Sequence, residues 1–442
     1  MMQCLAEGER YRHLGISTEF SVDQNPYSTI EGMMKDLQRV ERSLLAPWQR
    51  VEMMTTYILP RLDFLLRGAK VVKGLVKVAD KQIRRLAKSW LTFPQRASAE
   101  VVYLPLNKGG CGLLPLADLA DVLTIAHVFR VFTAGDAEVR DLAWASLRGV
   151  VKRQIGSVPT EQDIASFLSD SLERKFRDGG ERSLWSDARN ACRRQSSRLR
   201  ICWMWAEETR ELLLECRGTG GNLVNIPPEA RAQVIHALRL AIASYYTSTL
   251  LAKKDQGRVF EVAMRHGVSN HFTRTGSFTR FADWRFLHRA RLDMLPLNGA
   301  RQWREGDARC RRCRGNAEIL PHVINHCGVH SDAVQLRHDD LLLRLARAIQ
   351  LPGEVRINQR VEGVDPELTS LRPDLVIRHE QSQSIIIVDV TVPFENRREA
   401  FDEARARKVT KYTPLAEALT RQGYRGSHAV RGRFLRLMGP EE

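Results

Sequence analysis

Arg372-Pro373-Asp374, followed by the apolar run Ile385-Ile386-Ile387-Val388 that ends in Asp389, decides how the last part of this chain folds. Leu375 to Ile377 and Ile385 to Val392 read as short strands, and a helix runs from Arg397 to about Leu419, a small α/β pattern. Asp374 and Asp389 then stand at the ends of two adjacent strands. An acid within a run as apolar as IIIVDVTV is costly unless it is paired or metal-bound. Behind the two acids the helix carries Lys408, Lys411 and Tyr412. Such an arrangement can hold a divalent metal over a phosphodiester. Magnesium favours one or two carboxylates completed by waters and substrate oxygens, and it makes a phosphoryl centre easier to attack.

A lysine near the two acids would orient the attacking water or stabilise the charged transition state. In the common PD-(D/E)xK pattern that lysine sits two residues after the second acid, where this chain has Thr391. The lysine must come instead from the following helix, as Lys408 or Lys411. Glu395 is a candidate third ligand, set against the ordinary reading of a solvent-facing glutamate after a strand.

Upstream lies Cys310-x2-Cys313-x8-His322-x4-Cys327. A CxxC pair bites one edge of a zinc tetrahedron, and His322 with Cys327 can close the other, leaving no open position. The site is therefore expected to be structural. His326 is a competing ligand in a Cys/Cys/His/His alternative, and His330 is more distant. Arg309, Arg311, Arg312 and Arg314 interleave with the ligands, so a folded knuckle would present guanidinium groups to phosphates or bases.

The net charge of +16 over 442 residues makes polyanions the expected partners. The arginines also cluster: nine lie from Arg285 to Arg314, against Asp293, Glu305 and Asp307. No apolar stretch is long enough to span a membrane, and Met1 to Glu9 lacks the basic and apolar regions of a signal peptide. Of eight cysteines, three fall in the metal-like cluster, while Cys4, Cys111, Cys192, Cys202 and Cys216 are scattered. That usage fits a reducing compartment, cytosol or nucleus.

The chain divides into blocks at 1–152, 153–246, 247–350 and 351–442, the expected architecture being multidomain with mainly α-helical N-terminal and middle regions. In the first block Tyr11 to Ile16 reads as a short strand entering a turn. Apolar residues then recur at helical spacing from Ile30 to Ile58, with Pro47 dividing two helices. A helix over Val76 to Trp90 carries Lys81, Arg84, Arg85 and Lys88. Tyr103 to Pro115 (YLPLNKGGCGLLP) reads as a glycine-rich turn between extended pieces, and a further helix starts at Leu116. The second block is helical in pattern, with Trp203 and Trp205 as core residues and Gly218 to Pro228 as a linker. The third closes on a helix from Asp332 to Ile349.

The Cys/His spacing followed by RPD, VDVTVPFE and KVTKY resembles the C-terminal half of non-LTR retrotransposon Pol polyproteins. The likeness is to the site-specific class that inserts into ribosomal RNA genes and carries a restriction-enzyme-like endonuclease. Tyr11 to Ile16 (YRHLGI) is similar to the hairpin closing the reverse transcriptase palm, and the helices up to Leu91-Thr92-Phe93-Pro94 are similar to its thumb. Arg289 to Leu297 (RARLDMLPL) resembles the linker before the knuckle. The resemblance implies an endonuclease with Asp374 and Asp389 as magnesium ligands and Lys408, Lys411 and Tyr412 completing the site. It also implies a structural CCHC zinc knuckle, and thumb contacts from Lys81, Arg84, Arg85 and Lys88 to the template-primer backbone. Target DNA and element RNA are the implied partners, with a possible second subunit and action in the nucleus. The family's polymerase aspartates have no counterpart here, since no Tyr/Phe-x-Asp-Asp occurs. The chain is expected to be a C-terminal fragment whose fingers and palm are missing, able to nick but not to polymerise. Two other readings are an inactive zinc-knuckle nucleic-acid-binding remnant and a host nuclease of similar fold.

Overall fold

The computed structural model describes residues 11–13, 16–18, 24–69, 71–171, 183–276, 279–300 and 306–426. The turn at Leu14-Gly15 and the 301–305 part of the arginine-rich segment lie outside them. The chain forms two compact units, one of Met1–Ala252 with His271–Phe281, the other of Lys253–Asn270 with Ala282–Glu442.

In the first unit, β1 (Tyr11–His13) pairs antiparallel with β2 (Ile16–Thr18). The helix Tyr27–Arg42 buries Ile30, Met33, Leu37 and Val40, one apolar stripe at three- and four-residue steps. Pro47 does divide this region: it opens the helix Pro47–Glu52, where its missing N–H costs nothing. The helix Lys73–Trp90 buries Val76, Ala79, Ile83, Ala87 and Trp90. Its Asp80 caps the next long helix, Leu116–Phe132, accepting from the backbone N–H groups of Leu116 (2.5 Å) and Ala117 (2.9 Å). Between them the glycine-rich stretch follows a helical turn, Glu100–Tyr103, rather than an extended piece. Gly110 is required there, because a Cβ would lie 2.3 Å from the Leu104 carbonyl oxygen.

The helices Ala137–Ile155, Glu161–Ser169, Leu184–Leu199 and Val234–Leu251 share one core with Leu116–Phe132. A boundary at 152 would cut through both a helix and that core. The expectation of an all-helical middle block is also corrected. An antiparallel sheet of β3 (Cys202–Ala206), β4 (Glu211–Arg217) and β5 (Leu223–Ile226) lies within it. β4 alternates strictly, with Leu212, Leu214 and Cys216 buried. Gly218 to Pro228 is therefore not a linker: it holds the hairpin turn Gly218 to Asn222 and β5 itself. Trp203 is core, as expected: it is 2% exposed and its indole N–H faces Cys192 Sγ at 3.4 Å.

Beside this core lies a buried polar network. Asp118 accepts from Tyr246 Oη (2.6 Å), Arg198 (2.6 Å) and Gln195 (3.0 Å). Asp121 takes a forked contact from Arg194, a hydrogen bond from Gln195 and the Lys73 ammonium at 2.6 Å. Two buried acids on a helix are tolerable only with such saturation.

The second unit carries the knuckle, the helix Ser331–Ala348 and a four-stranded sheet in the order β6 (Glu354–Ile357), β7 (Leu375–His379), β8 (Ser384–Val388), β9 (Arg425–Gly426). β6, β7 and β8 are antiparallel, and β9 joins β8 in parallel after the helix Arg397–Arg421. Alternation divides the β7–β8 hairpin between two cores. Leu375 and Ile377 pack with Leu342 of the 331–348 helix, whereas Val376, Ile385 and Ile387 pack with Tyr412, Leu415 and Leu419 of the 397–421 helix. Among the described residues no helix is long and apolar enough to cross a membrane.

Candidate metal and nuclease site

The register of the hairpin assembles the acids. Leu375 pairs with Val388, so Asp374 and Asp389 follow as the next opposed positions, one before β7 and one after β8. Two residues far apart in sequence become neighbours because antiparallel strands bring one strand's start beside the other's end. Asp389 falls on the face of Val376 and Ile387, where Lys408 of the 397–421 helix meets it, whereas Asp374 reaches His338 of the 331–348 helix.

Lys408 of that helix pairs its ammonium with Asp389, whose side chain is only 3% exposed. Asp389 Oδ2 is buried, with the Lys408 ammonium against it and the Tyr412 hydroxyl beside its carboxylate. Lys408 is its ion-pair partner, and a buried carboxylate with one cation already against it is a donor suited to a metal ion. One turn on, the buried Tyr412 donates its hydroxyl to the Arg372 carbonyl (2.9 Å) and receives Lys411 Nζ (3.0 Å). Burial raises the Tyr412 pKa, and the carboxylates of Asp389 and Asp374 raise it further. Lys411 is thus directed at Tyr412, while Lys408 is the lysine that reaches a carboxylate. Glu395 is on the exposed loop before the helix, with Arg291 as its neighbouring charge.

Asp374 is held from two directions. Its Oδ2 accepts the Val390 N–H at 2.6 Å and faces His338 Nε2 at 3.2 Å. The other His338 nitrogen lies 3.2 Å from Asp339 Oδ1. Burial depresses the His338 pKa, but Asp339 and Asp374 outweigh it and leave it raised. Sequence reading missed His338: its only signal is a histidine on the inner side of a helix, which carries meaning only once the sheet is in place.

Cys310, Cys313, His322 and Cys327 converge, their ligand atoms all within 4.8 Å of one another. Cys310 Sγ and Cys327 Sγ are 4.0 Å apart, and Cys313 Sγ lies 3.3 Å from His322 Nε2. With metal–sulfur bonds of about 2.3 Å a tetrahedral edge is about 3.8 Å, so the donor set fits zinc. The turn is built locally: Cys310 N–H donates to Asn316 O, Arg314 N–H donates to Cys310 O, and Arg314 takes φ 60°. Backbone N–H groups of Asn316 and Gly315 lower the Cys313 thiol to about 6, as thiolate ligation requires. His326 is exposed while His322 points inward, so the three cysteines with His322 form the cluster.

The basic side chains divide into two groups. Arg311 forks onto buried Glu318 at 2.8 and 2.9 Å, and Arg309 pairs with Asp307 at 2.9 Å. Both of these arginines are exposed, as expected of the knuckle, but each already has an acid as its partner, so a phosphate would compete with Asp307 and Glu318 for them. Arg312 and Arg314 are exposed. On the 73–90 helix Arg84 donates to Tyr103 Oη (3.2 Å) and Lys88 to the Ala97 carbonyl, while Lys81 and Arg85 face solvent.

No family model matches the chain. An uncharacterized protein of Caenorhabditis elegans is 24% identical over 307 residues, covering 65% of this chain and 85% of that protein. The Pol polyprotein of the type-1 retrotransposable element R2 of Popillia japonica is 22% identical over 393 residues, 88% of this chain and 65% of the polyprotein. That of Nasonia vitripennis is 27% identical over 434 residues, 96% of this chain, which spans 34% of its length. Over most of its length, the chain is homologous to Pol polyproteins of R2 retrotransposable elements.

Proposed function

We propose that the second unit nicks one strand of DNA with magnesium, leaving a 3′ hydroxyl that primes reverse transcription of element RNA within a longer polyprotein. The carrying observation is the convergence of Asp374 and Asp389 at one end of the β7–β8 hairpin with Lys408 against Asp389. Homology to R2 Pol polyproteins supports a retrotransposon origin and nucleic-acid partners.

Asp374 and Asp389 would hold the ion, which supplies Lewis acidity toward the phosphoryl oxygen and toward water. The His338 and Val390 contacts fix the Asp374 carboxylate in one orientation. Lys408 balances the charge of Asp389 and, from the same position, could stabilise negative charge on a phosphate bound beside the two acids. Tyr412, anchored on the Arg372 carbonyl, fixes the floor beside Asp389. Cys310, Cys313, His322 and Cys327 would hold a zinc ion with no position left open, so that ion would be structural. Arg312 and Arg314, with Lys81 and Arg85 on the thumb-like helix, contact phosphates.

Supercoiled plasmid with magnesium tests this reading. Open-circle product from the wild-type chain, lost in both Asp374→Ala and Asp389→Ala, is the expected result. Salt-sensitive DNA binding without nicking under any of these conditions would favour a binding module without activity.

A further inference from the structure

Between the zinc ligands His322 and Cys327 the chain makes a single π-helical turn, His322–His326. Asn325, on that turn, uses both ends of its amide outside the knuckle. Its Nδ2 donates to the Val392 carbonyl at 3.1 Å, and its Oδ1 accepts from Arg337 Nη2 at 2.8 Å. The two partners belong to the two segments that grip Asp374. Val392 is on the loop that follows Asp389, whose Val390 N–H donates to Asp374 Oδ2. Arg337 immediately precedes His338, whose Nε2 faces the same oxygen. Arg337 Nε is buried with no hydrogen-bond partner, so Asn325 is the acceptor on which this guanidinium depends.

We propose that Asn325 is a positioning residue which fixes the carboxylate pair from the zinc-bound turn. An amide suits this task because it presents one donor and one acceptor in a rigid plane, here spanning the loop after β8 and the 331–348 helix. Zinc fixes the ends of the turn, the turn fixes Asn325, and Asn325 fixes the two segments that aim Asp374. The knuckle thereby preorganises the neighbouring site instead of serving only as a nucleic-acid grip. The inference rests on the nuclease reading for its purpose, but the coupling itself is measurable without cleavage.

The test is hydrogen–deuterium exchange on the full zinc-loaded chain, with zinc content followed by atomic emission. Asn325→Ala is expected to keep its zinc and its β3–β5 protection. Exchange at Val390 and through 389–396, and near 337–339, should rise roughly fivefold or more, the ratio set by one net hydrogen bond. Asn325→Asp keeps the acceptor for Arg337 and loses the donor to Val392, so only 389–396 should loosen. Unchanged exchange in both segments of Asn325→Ala would overturn the proposal, as would a uniform rise through β6 and β7, the mark of a merely structural residue. Plasmid nicking separates the two ideas. Loosened segments without nicking in the wild type would sink the nuclease reading alone, and wild-type nicking with unaltered exchange would sink only the coupling.

Discussion

Removing Lys408 should destabilise the second unit more than removing the acid it faces. Asp389 is 3% exposed and Lys408 32%, so the carboxylate has lost nearly all its water while the ammonium keeps part of its own. Breaking a fully buried pair costs about 3–5 kcal/mol, and discounting for the exposed lysine leaves roughly 1.5–3 kcal/mol for Lys408→Met. Asp389→Asn removes the buried charge instead, keeps the side chain's shape and leaves a partly exposed Lys408 that water can solvate, so its cost should stay at about 1 kcal/mol. The double variant should then resemble Asp389→Asn. Magnesium supplies a second handle. An ion binding the folded state alone adds about 2.7 kcal/mol at a hundred times its Kd, and Lys408→Met, with no ammonium to displace, should gain more from it than the wild type. Native-state hydrogen exchange of β7 and β8, in zinc-replete buffer without strong chelators, reads this unit alone. Equal costs for the two single variants, or strict additivity in the double, would refute the assigned pairing.

Zinc should bind at one ion per chain; Cys327→Ala should abolish it while His326→Ala leaves it intact, as atomic emission can show. Arg312→Ala with Arg314→Ala should flatten the salt dependence of DNA affinity by about two in log–log slope, whereas Arg311→Ala should leave that slope alone and lower stability by freeing buried Glu318. Burial pushes the Asp80 carboxyl up to about 6, against the opposing backbone N–H groups of Ala117 and Leu116. The folded chain thus holds this proton more tightly than the unfolded one. The resulting stability is full below about pH 4 and is lost as pH rises through about 6. Asp80→Asn should flatten that segment of the stability profile, an effect on the order of 2 kcal/mol, read by urea unfolding across pH 4 to 7.

The zinc cluster and the acid pair were legible because each is written locally. Ligand spacing within a short segment fixes the first, and two apolar strands bounded by Asp374 and Asp389 fix the second. The β3–β5 sheet was not legible. Its first turn is Glu207-Glu208-Thr209-Arg210, with the positive φ of 55° carried by Arg210 instead of glycine or asparagine. The run Leu212-Leu213-Leu214 hides a period of two. The arginine cluster was visible in the sequence, but its neutralisation was not. Glu318, which captures Arg311, gives no sign in sequence of being buried. His338 and Asn325 gain their meaning from partners 36 and 67 residues away, distances over which no local pattern reports.

The hairpin that joins the acids also makes the site sensitive to length. Residues 380–383 connect β7 to β8, and Gln383 holds a φ of 46° at the exit. Side chains alternate faces along a strand, so one residue added to that connection would either be absorbed as a loop or shift the pairing by one step. A shift would turn Asp389 away from Lys408 and toward the 331–348 helix while leaving both acids and the lysine themselves in place. The meeting of Asp389 with Lys408 is therefore encoded in a count of residues as much as in their identity, and a register-shifting insertion here would part the pair without altering either residue.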